Sequence, residues 1–352
     1  MKREQIEYTI RAVAQDADKF QASDVLKKLP AQFATRQYIS TILNDLVGRK
    51  VLAVSGSKRF TYYSLPSKAD NLIDKETRML RNNALEEHLV YEDLMSRAAL
   101  MQKLNDNAVS IVDFAFSEML NNAIDHSKSE RIKIELYRDG QDLIFTIRDF
   151  GIGVFENVKH KYKLQSDLEA IQELLKGKTT TAPKAHSGEG IFFTSKSADE
   201  FILESFSTRL RVNNRIDDIF VETRQRRLKG TKITFRIALH TSRHLTTIFH
   251  KYYTEPESYA FDKTDILVKL YTTGTVHVSR SQARRIISNV AKKFKIIVLD
   301  FDNVPTVGQA FADEIFRVFK NKHPEVTIQC VNMNDNVSFM VKRAQSTAKM
   351  LQ

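Results

Sequence analysis

Residues 116–126 read Phe-Ser-Glu-Met-Leu-Asn-Asn-Ala-Ile-Asp-His and combine an apolar helical pattern with three spaced polar side chains. The polar residues Glu118, Asn122 and His126 lie four positions apart, so a helix places all three on one face. A carboxylate and an amide oxygen on one helical face suit the activation of a water or hydroxyl beside a bound Mg²⁺. The same spacing is common on solvated helix faces, so this stretch alone leaves both interpretations open.

Glycine is concentrated in three short motifs further along the chain. The sequence has only 11 glycines in 352 residues, and five of them fall in these motifs. The first motif, Arg148-Asp-Phe-Gly-Ile-Gly153, follows a predicted strand. Asp149 can there accept a hydrogen bond from an exocyclic amine, while Gly151 and Gly153 let the backbone approach a flat ring.

The second motif, Gly188-Glu-Gly190-Ile191, begins a predicted helix, whose free backbone N–H groups and dipole favour a phosphate. The third motif, Gly230-Thr231, leads into a predicted strand. Taken alone, each motif is also compatible with an ordinary turn.

In this order and spacing, the four motifs resemble those of the GHKL ATPase family, which includes gyrase B subunits, Hsp90, histidine kinases, MutL and the anti-sigma serine kinases. The matching boxes are Glu118-x-x-x-Asn122, Asp149-x-Gly151-x-Gly153, Gly188-x-Gly190-Ile191 and Gly230-Thr231.

The resemblance implies a cofactor, ATP with Mg²⁺, and a role for each residue. Asn122 would bind Mg²⁺, Asp149 would anchor adenine, Thr231 would support that contact, and Glu118 is the candidate general base. Residues 154–187 would form the ATP lid, with Lys178, Thr179, Thr180 and Thr181 as phosphate contacts.

Within the family, three activities remain open: an ATPase switch, an anti-sigma-type serine/threonine protein kinase, and a nucleotide-bound scaffold without turnover. Glu118 and the following Asn-Ala-Ile-Asp-His look most like the anti-sigma serine kinases, although glutamate at this place is also the base of true ATPases. Histidine autokinase activity is disfavoured, because the residues around His88 lack the Arg-Thr-Pro-like pattern that follows a phosphoacceptor histidine.

Residues 1–66 resemble a winged helix-turn-helix, with three predicted helices followed by a hairpin. The start of the third helix would meet base edges and the wing would meet phosphate. Packing or dimerisation is the alternative role for this module. The predicted DNA-binding residues are Arg36, Gln37, Ser40, Lys58 and Arg59.

Three further segments complete an α+β multidomain chain. Residues 67–106 are expected to form a linker and a helix that either pairs with a second copy or caps the next domain. Residues 107–240 would place helices on one face of a mixed or antiparallel sheet, with a mixed sheet preferred as the GHKL α/β sandwich. Residues 260–352 alternate strand and helix and resemble small α/β STAS-like domains. The anti-sigma antagonists with such domains carry a phosphorylatable serine in one turn, and the corresponding turn of this sequence lacks it.

Composition limits the remaining choices. The formal net charge of +11 favours a polyanionic partner such as nucleic acid. Cys330 is the only cysteine, which excludes an intrachain disulfide and a multi-cysteine metal site, and no apolar run reaches the roughly 20 residues of a membrane helix. We therefore expect a cytoplasmic, bacterial-type regulator, without membrane contact, in which ATP controls binding to DNA, through residues 1–66, or to a protein partner, through the STAS-like domain. Whether it forms a homodimer is left open.

Overall fold

The N-terminal part of the chain is three helices followed by a two-stranded antiparallel sheet. In the computed structural model, which describes residues 2–30, 34–55, 61–71, 75–97, 103–179, 188–255, 260–271 and 279–350, Thr35 caps the third helix by accepting a hydrogen bond from the Tyr38 amide. These elements enclose their own apolar core. Their bounds are α1 Lys2–Asp16, α2 Ala22–Lys28, α3 Arg36–Gly48, β1 Ala53–Ser55 and β2 Tyr62–Ser64.

The central domain is built on a five-stranded sheet in the order β3-β4-β5-β7-β6. Every strand pairing in it is antiparallel, so the expectation of a mixed sheet is wrong. The consecutive strands β4 and β5, and β6 and β7, pair directly as antiparallel hairpins. Antiparallel neighbours of this kind need no crossover connection. The strands are β3 Lys75–Arg81, β4 Arg131–Asp139, β5 Asp142–Asp149, β6 Glu200–Asn213 and β7 Asp218–Ala238.

The helices of this domain pack on one face of the sheet around a continuous core. The first strand, β3, lies within the segment expected to be a linker, so the sheet begins earlier in the chain than residue 107. The helices are α4 Glu87–Arg97, α5 Asp106–His126, α6 Val154–Tyr162, α7 Asp167–Lys176, α8 Gly190–Ser197 and α9 Leu245–His250.

The hairpin of β6 and β7 folds back on the edge of the sheet. Arg211 and Glu200 form an ion pair with an Nε–Oε1 distance of 2.5 Å, although eleven residues of one strand separate them. A straight strand would separate them by about 37 Å. The bend coincides with a register shift near Phe206, and the tip returns so that the Asn214 amide donates to the Asp199 carbonyl at 2.9 Å.

The C-terminal domain has a three-stranded parallel sheet in the order β10-β9-β8. Its core includes Phe192 and Phe193 of α8, so the central and C-terminal domains share buried apolar surface. No helix in the described ranges is long and apolar enough to cross a membrane. The elements are β8 Lys263–Leu267, α10 Arg280–Ile287, β9 Ile296–Asp300, α11 Gln309–Asp313 continuing through a π-helical turn Glu314–Phe319 into α12 Lys320–Lys322, β10 Thr327–Val331 and α13 Asp335–Met350.

Candidate functional site

A cavity of about 300 Å³ lies between α5, the ends of β5 and β7, and the start of α8. Its wall contains residues from all four boxes identified in the sequence, which are up to 113 positions apart along the chain. The box residues that line it are Glu118, Asn122, Asp149, Gly153, Gly188, Gly190, Ile191 and Thr231.

Helix α5 supplies the polar wall of the cavity. Asn105 caps this helix by accepting a hydrogen bond from the Ala108 amide, and the apolar side of the helix is buried against the sheet. The opposite side presents Glu118, Asn122 and His126 to the cavity, as the four-residue spacing predicts. The carboxylate and amide oxygens of Glu118 and Asn122 are hard donors of the kind that Mg²⁺ prefers, so the donor set fits a magnesium ion.

Asp149 lies at the end of β5 and is only 4% exposed. Its Oδ1 accepts hydrogen bonds from the amides of Gly151 at 2.9 Å and Thr231 at 3.1 Å. Burial raises the pKa of this carboxyl, and the hydrogen bonds from Gly151 and Thr231 oppose that shift only in part. The Thr231 hydroxyl accepts from the Val154 amide at 3.0 Å, which ties the first turn of α6 to the same group.

At two glycines of the boxes, the backbone passes directly against a carboxylate of the cavity wall. A Cβ on Gly230, whose φ is +80°, would lie 2.6 Å from Oδ1 of Asp149. A Cβ on Gly190 would collide with Oε2 of Glu118. The missing side chain of Gly190 therefore lets the Glu118 carboxylate lie directly against the N-terminus of α8, where free backbone N–H groups favour an anion.

The lid segment is only partly described. Thr179 lines the cavity, and its amide donates to the Gly188 carbonyl at 3.0 Å, so the two ends of the loop meet. Thr180 and Thr181 lie outside the described residues. Lys178 is not among the residues that line the cavity, because its Nζ donates to the Lys293 carbonyl at 3.1 Å in the C-terminal domain.

Several lining residues carry no motif signal in the sequence. Asn157 of α6 contributes an amide near the carbonyl of His126, with an Nδ2–O distance of 3.4 Å. Leu174 and Leu203 provide apolar wall and read in the sequence as ordinary core residues. Asn121 also lines the cavity. Of these additional lining residues, it alone carried a sequence signal, since it directly precedes the magnesium-ligand candidate Asn122.

Residues 109–241 match the family model described as histidine kinase-, DNA gyrase B- and HSP90-like ATPase. The chain carries a GHKL-type ATPase domain. Residues 282–338 match a STAS-like domain of unknown function, so the resemblances to the GHKL family and to STAS-like domains are confirmed, whereas the winged helix-turn-helix stays a prediction. A search of curated proteins found no match. The match to the GHKL model ends just after the sheet and leaves the β8-containing segment to the C-terminal domain.

The GHKL domain is joined to the STAS-like domain through the helix that its second glycine motif begins. Phe193 packs against Phe261 of the C-terminal domain with ring centroids 4.8 Å apart. Phe192 packs against Phe261 at 4.7 Å and Tyr252 at 4.9 Å. The residues that follow Ile191 in α8 are thus anchored in the core of the C-terminal domain.

Three of the five predicted DNA-binding residues lie on α3, and none of these three lines the cavity. Arg36 and Gln37 are exposed at the start of the helix. The Ser40 hydroxyl donates to the Arg36 carbonyl at 2.9 Å, so its hydrogen is committed to the helix backbone. Lys58 and Arg59 lie outside the described residues.

Proposed function

We propose that the protein is a cytoplasmic regulator in which Mg-ATP binding to the GHKL domain changes how the chain binds DNA or a protein partner. The cavity, the buried Asp149 and the matched family model support ATP as the ligand. Asn122 would hold Mg²⁺, and Glu118 would act as the general base if ATP is turned over. The matched STAS-like domain supports a regulatory role, since the resemblance links such domains to anti-sigma antagonists.

One observation carries the switch. Helix α8 begins at Gly190 in the wall of the cavity and continues directly into Phe192 and Phe193 in the C-terminal core. A phosphate at the start of α8 would attract its N-terminus. Because packed cores do not deform continuously, a small displacement of α8 must be accommodated by the packing of the STAS-like domain.

The decisive experiment compares hydrogen exchange of the full chain with and without Mg-ATP, using Asn122→Ala as the control that does not bind the nucleotide. We expect altered protection in α8 and also in β8 and α10. Neither β8 nor α10 contributes a residue to the cavity wall. Protection that changes only around the cavity would contradict the switch and leave a nucleotide-bound scaffold.

A serine/threonine protein kinase of the anti-sigma type is the second candidate, supported by the placement of Glu118 in the cavity wall. ATP labelled at the γ-phosphate distinguishes the two. Free phosphate without a labelled protein would support the ATPase switch, whereas a labelled serine or threonine on a co-purified partner would support the kinase.

DNA binding through residues 1–66 and dimerisation are further parts of this proposal. The exposed Arg36 and Gln37 at the capped start of α3 support base contacts in a major groove. Homodimerisation would bring two such helices to two half-sites, which a symmetric operator would match.

A further inference from the structure

Residues 224–229 read Arg-Gln-Arg-Arg-Leu-Lys, with four cations and no acid, directly before the third glycine motif. In β7 this stretch coincides with the register shift, because Leu228 pairs with Phe206 whereas Thr223 pairs with Thr208. Four residues of β7 therefore stand opposite one residue of β6 and bulge from the sheet. Leu228 is buried, whereas Arg226, Arg227 and Lys229 are exposed.

The face of the sheet that the helices leave uncovered continues this charge. Lys133, Arg148 and Lys232 occupy one row across β4, β5 and β7, since Lys133 pairs with Arg148 and Arg148 pairs with Lys232. Neighbouring strands are about 4.8 Å apart, and like charges directly opposite each other destabilise a sheet. We call these three residues together with Arg224, Arg226, Arg227 and Lys229 the basic face.

The carboxylates near the basic face are too few to neutralise it. Glu204 alone is approached by Arg209 at 2.8 Å, Arg224 at 3.1 Å and Lys232 at 4.0 Å. Its side chain is 5% exposed, so it is already fully engaged as the centre of this cluster. Lys133 has a partner of its own in Glu135 at 3.1 Å, so the exposed Arg226, Arg227 and Lys229 are the cations of the basic face that an added anion could reach.

Two buried nitrogens of the basic face have no hydrogen-bond partner among the described residues: Nε of Arg148 and Nη1 of Arg224. Buried guanidinium donors are normally paired, because an unsatisfied one loses its hydration without compensation. Aromatic rings hold two of the guanidinium groups in place, with Arg148 4.6 Å from the Phe150 ring and Arg227 4.9 Å from the Phe206 ring.

We propose that the basic face binds the phosphate backbone of nucleic acid. Its cations extend over three strands and a bulge on an open surface, which suits a chain of phosphates, whereas a single small anion could contact only two or three of them. Arginine and lysine contacts of this kind position a duplex without reading its sequence.

The position of the basic face also connects it to the nucleotide. Thr231 lines the cavity, and the next residue, Lys232, lies on the opposite face of the same strand. Arg148 has the same relation to Asp149 on β5. Nucleic acid and ATP would thus contact the two faces of the same strand ends.

The test measures binding of the full chain to a labelled 30-base-pair duplex at several salt concentrations. The variant is Arg226→Gln/Arg227→Gln/Lys229→Gln, and the control is Lys292→Gln/Lys322→Gln/Lys342→Gln, which removes three exposed charges from the C-terminal domain. We expect the salt dependence of the variant to be shallower by about 2.7 ions, at about 0.9 per phosphate contact, and the control to match the wild type.

Two results would overturn the proposal: equal loss of binding in the variant and its control, or no binding of the wild type to the duplex. A second variant, Arg36→Ala/Gln37→Ala, separates this proposal from DNA reading by residues 1–66. If Arg36→Ala/Gln37→Ala loses all duplex binding and the variant of the basic face loses no binding, the proposal for the basic face is overturned. The proposed role of α3 in DNA binding would then stand. Circular dichroism verifies that every variant is folded.

Discussion

The ammonium of Lys176 and the carboxylate of Glu173 pair at 2.7 Å, one turn apart on α7, with side chains only 2% and 4% exposed. The same ammonium donates to the Ser288 hydroxyl at 3.0 Å and to the Arg285 carbonyl at 2.8 Å, both in the C-terminal domain. This buried pair therefore lies at the boundary between α7 and the STAS-like domain, and it joins the two.

Removing one member of this pair should be costly. We expect Lys176→Met to lower the free energy of unfolding by about 3–5 kcal/mol in a urea titration, because the buried Glu173 carboxylate would lose the ammonium that is directly hydrogen-bonded to it. The double variant Lys176→Met/Glu173→Leu should recover most of this loss. Lys27→Met is the matched control, since its exposed pair with Asp24 has the same spacing and should contribute less than about 1 kcal/mol.

Asp149→Asn should separate stability from binding. Because folding raises the pKa of Asp149, ionisation of this carboxyl disfavours the folded state once the pH exceeds its ordinary value. We therefore expect the variant to unfold at a higher urea concentration than the wild type at neutral pH, and this gain to disappear as the pH falls below that ordinary value. An asparagine oxygen can still accept from the Gly151 and Thr231 amides.

ATP binding by the wild type should depend on pH through the same group. A carboxylate accepts from the adenine amine, so affinity should fall as Asp149 becomes protonated, and it should begin to fall at a higher pH than an ordinary aspartate would give. Calorimetric titrations between pH 5 and 8 check this. Asp149→Asn should bind ATP at least about tenfold more weakly, a loss of about 1.4 kcal/mol, without that pH dependence. Identical pH profiles for the two proteins would contradict the assignment.

Gly190→Ala should weaken ATP binding more than its small volume suggests. The new methyl group would overlap the Glu118 carboxylate and push that side chain away from α8, into the part of the cavity that we expect the triphosphate and Mg²⁺ to occupy. We expect at least a tenfold loss of Mg-ATP affinity by calorimetry. Gly48→Ala is the control, since no atom lies within 4 Å of a Cβ there. Unchanged affinity in Gly190→Ala would mean that the nucleotide does not reach this part of the cavity.

Glu118→Gln tests turnover separately from binding. If Glu118 is the general base, this variant should retain ATP and lose about 10²–10⁴-fold in phosphate release, the usual contribution of a positioned base. Glu156→Gln, on the exposed side of α6, should behave like the wild type. Phosphate release that is equal in the two variants would leave Glu118 as a residue of the cavity wall only.

Much of the central domain was predictable because its local signals agree with its tertiary environment. Helix α7 begins and ends at local sequence signals, since Ser166 accepts a hydrogen bond from the Glu169 amide and Gly177 follows the last turn. The four boxes meet at one cavity because strand ends and helix starts converge at one end of such a sheet. The sequence could therefore indicate both the elements and the chemical group that they bind.

The remaining features depend on contacts that periodicity does not encode. Strand β3 is polar because it forms the outer edge of the sheet, so it reads as a linker. Lys178 resembles a phosphate ligand in sequence, but the Lys293 carbonyl and the rings of Phe261 and Phe294 hold it in the C-terminal domain. The pattern of α8 indicates burial of Phe192 and Phe193 without indicating which domain buries them.

The folded-back hairpin of β6 and β7 has a consequence for solubility. An uncovered strand at the edge of a sheet offers a row of free amides and carbonyls that can pair with another chain and start aggregation. The return of the hairpin tip to Asp199 covers the edge at β6. The opposite edge, β3, has charged residues at four of its seven positions, which discourages the same pairing. The sheet that binds nucleotide is thereby protected at both edges from polymerising with copies of itself.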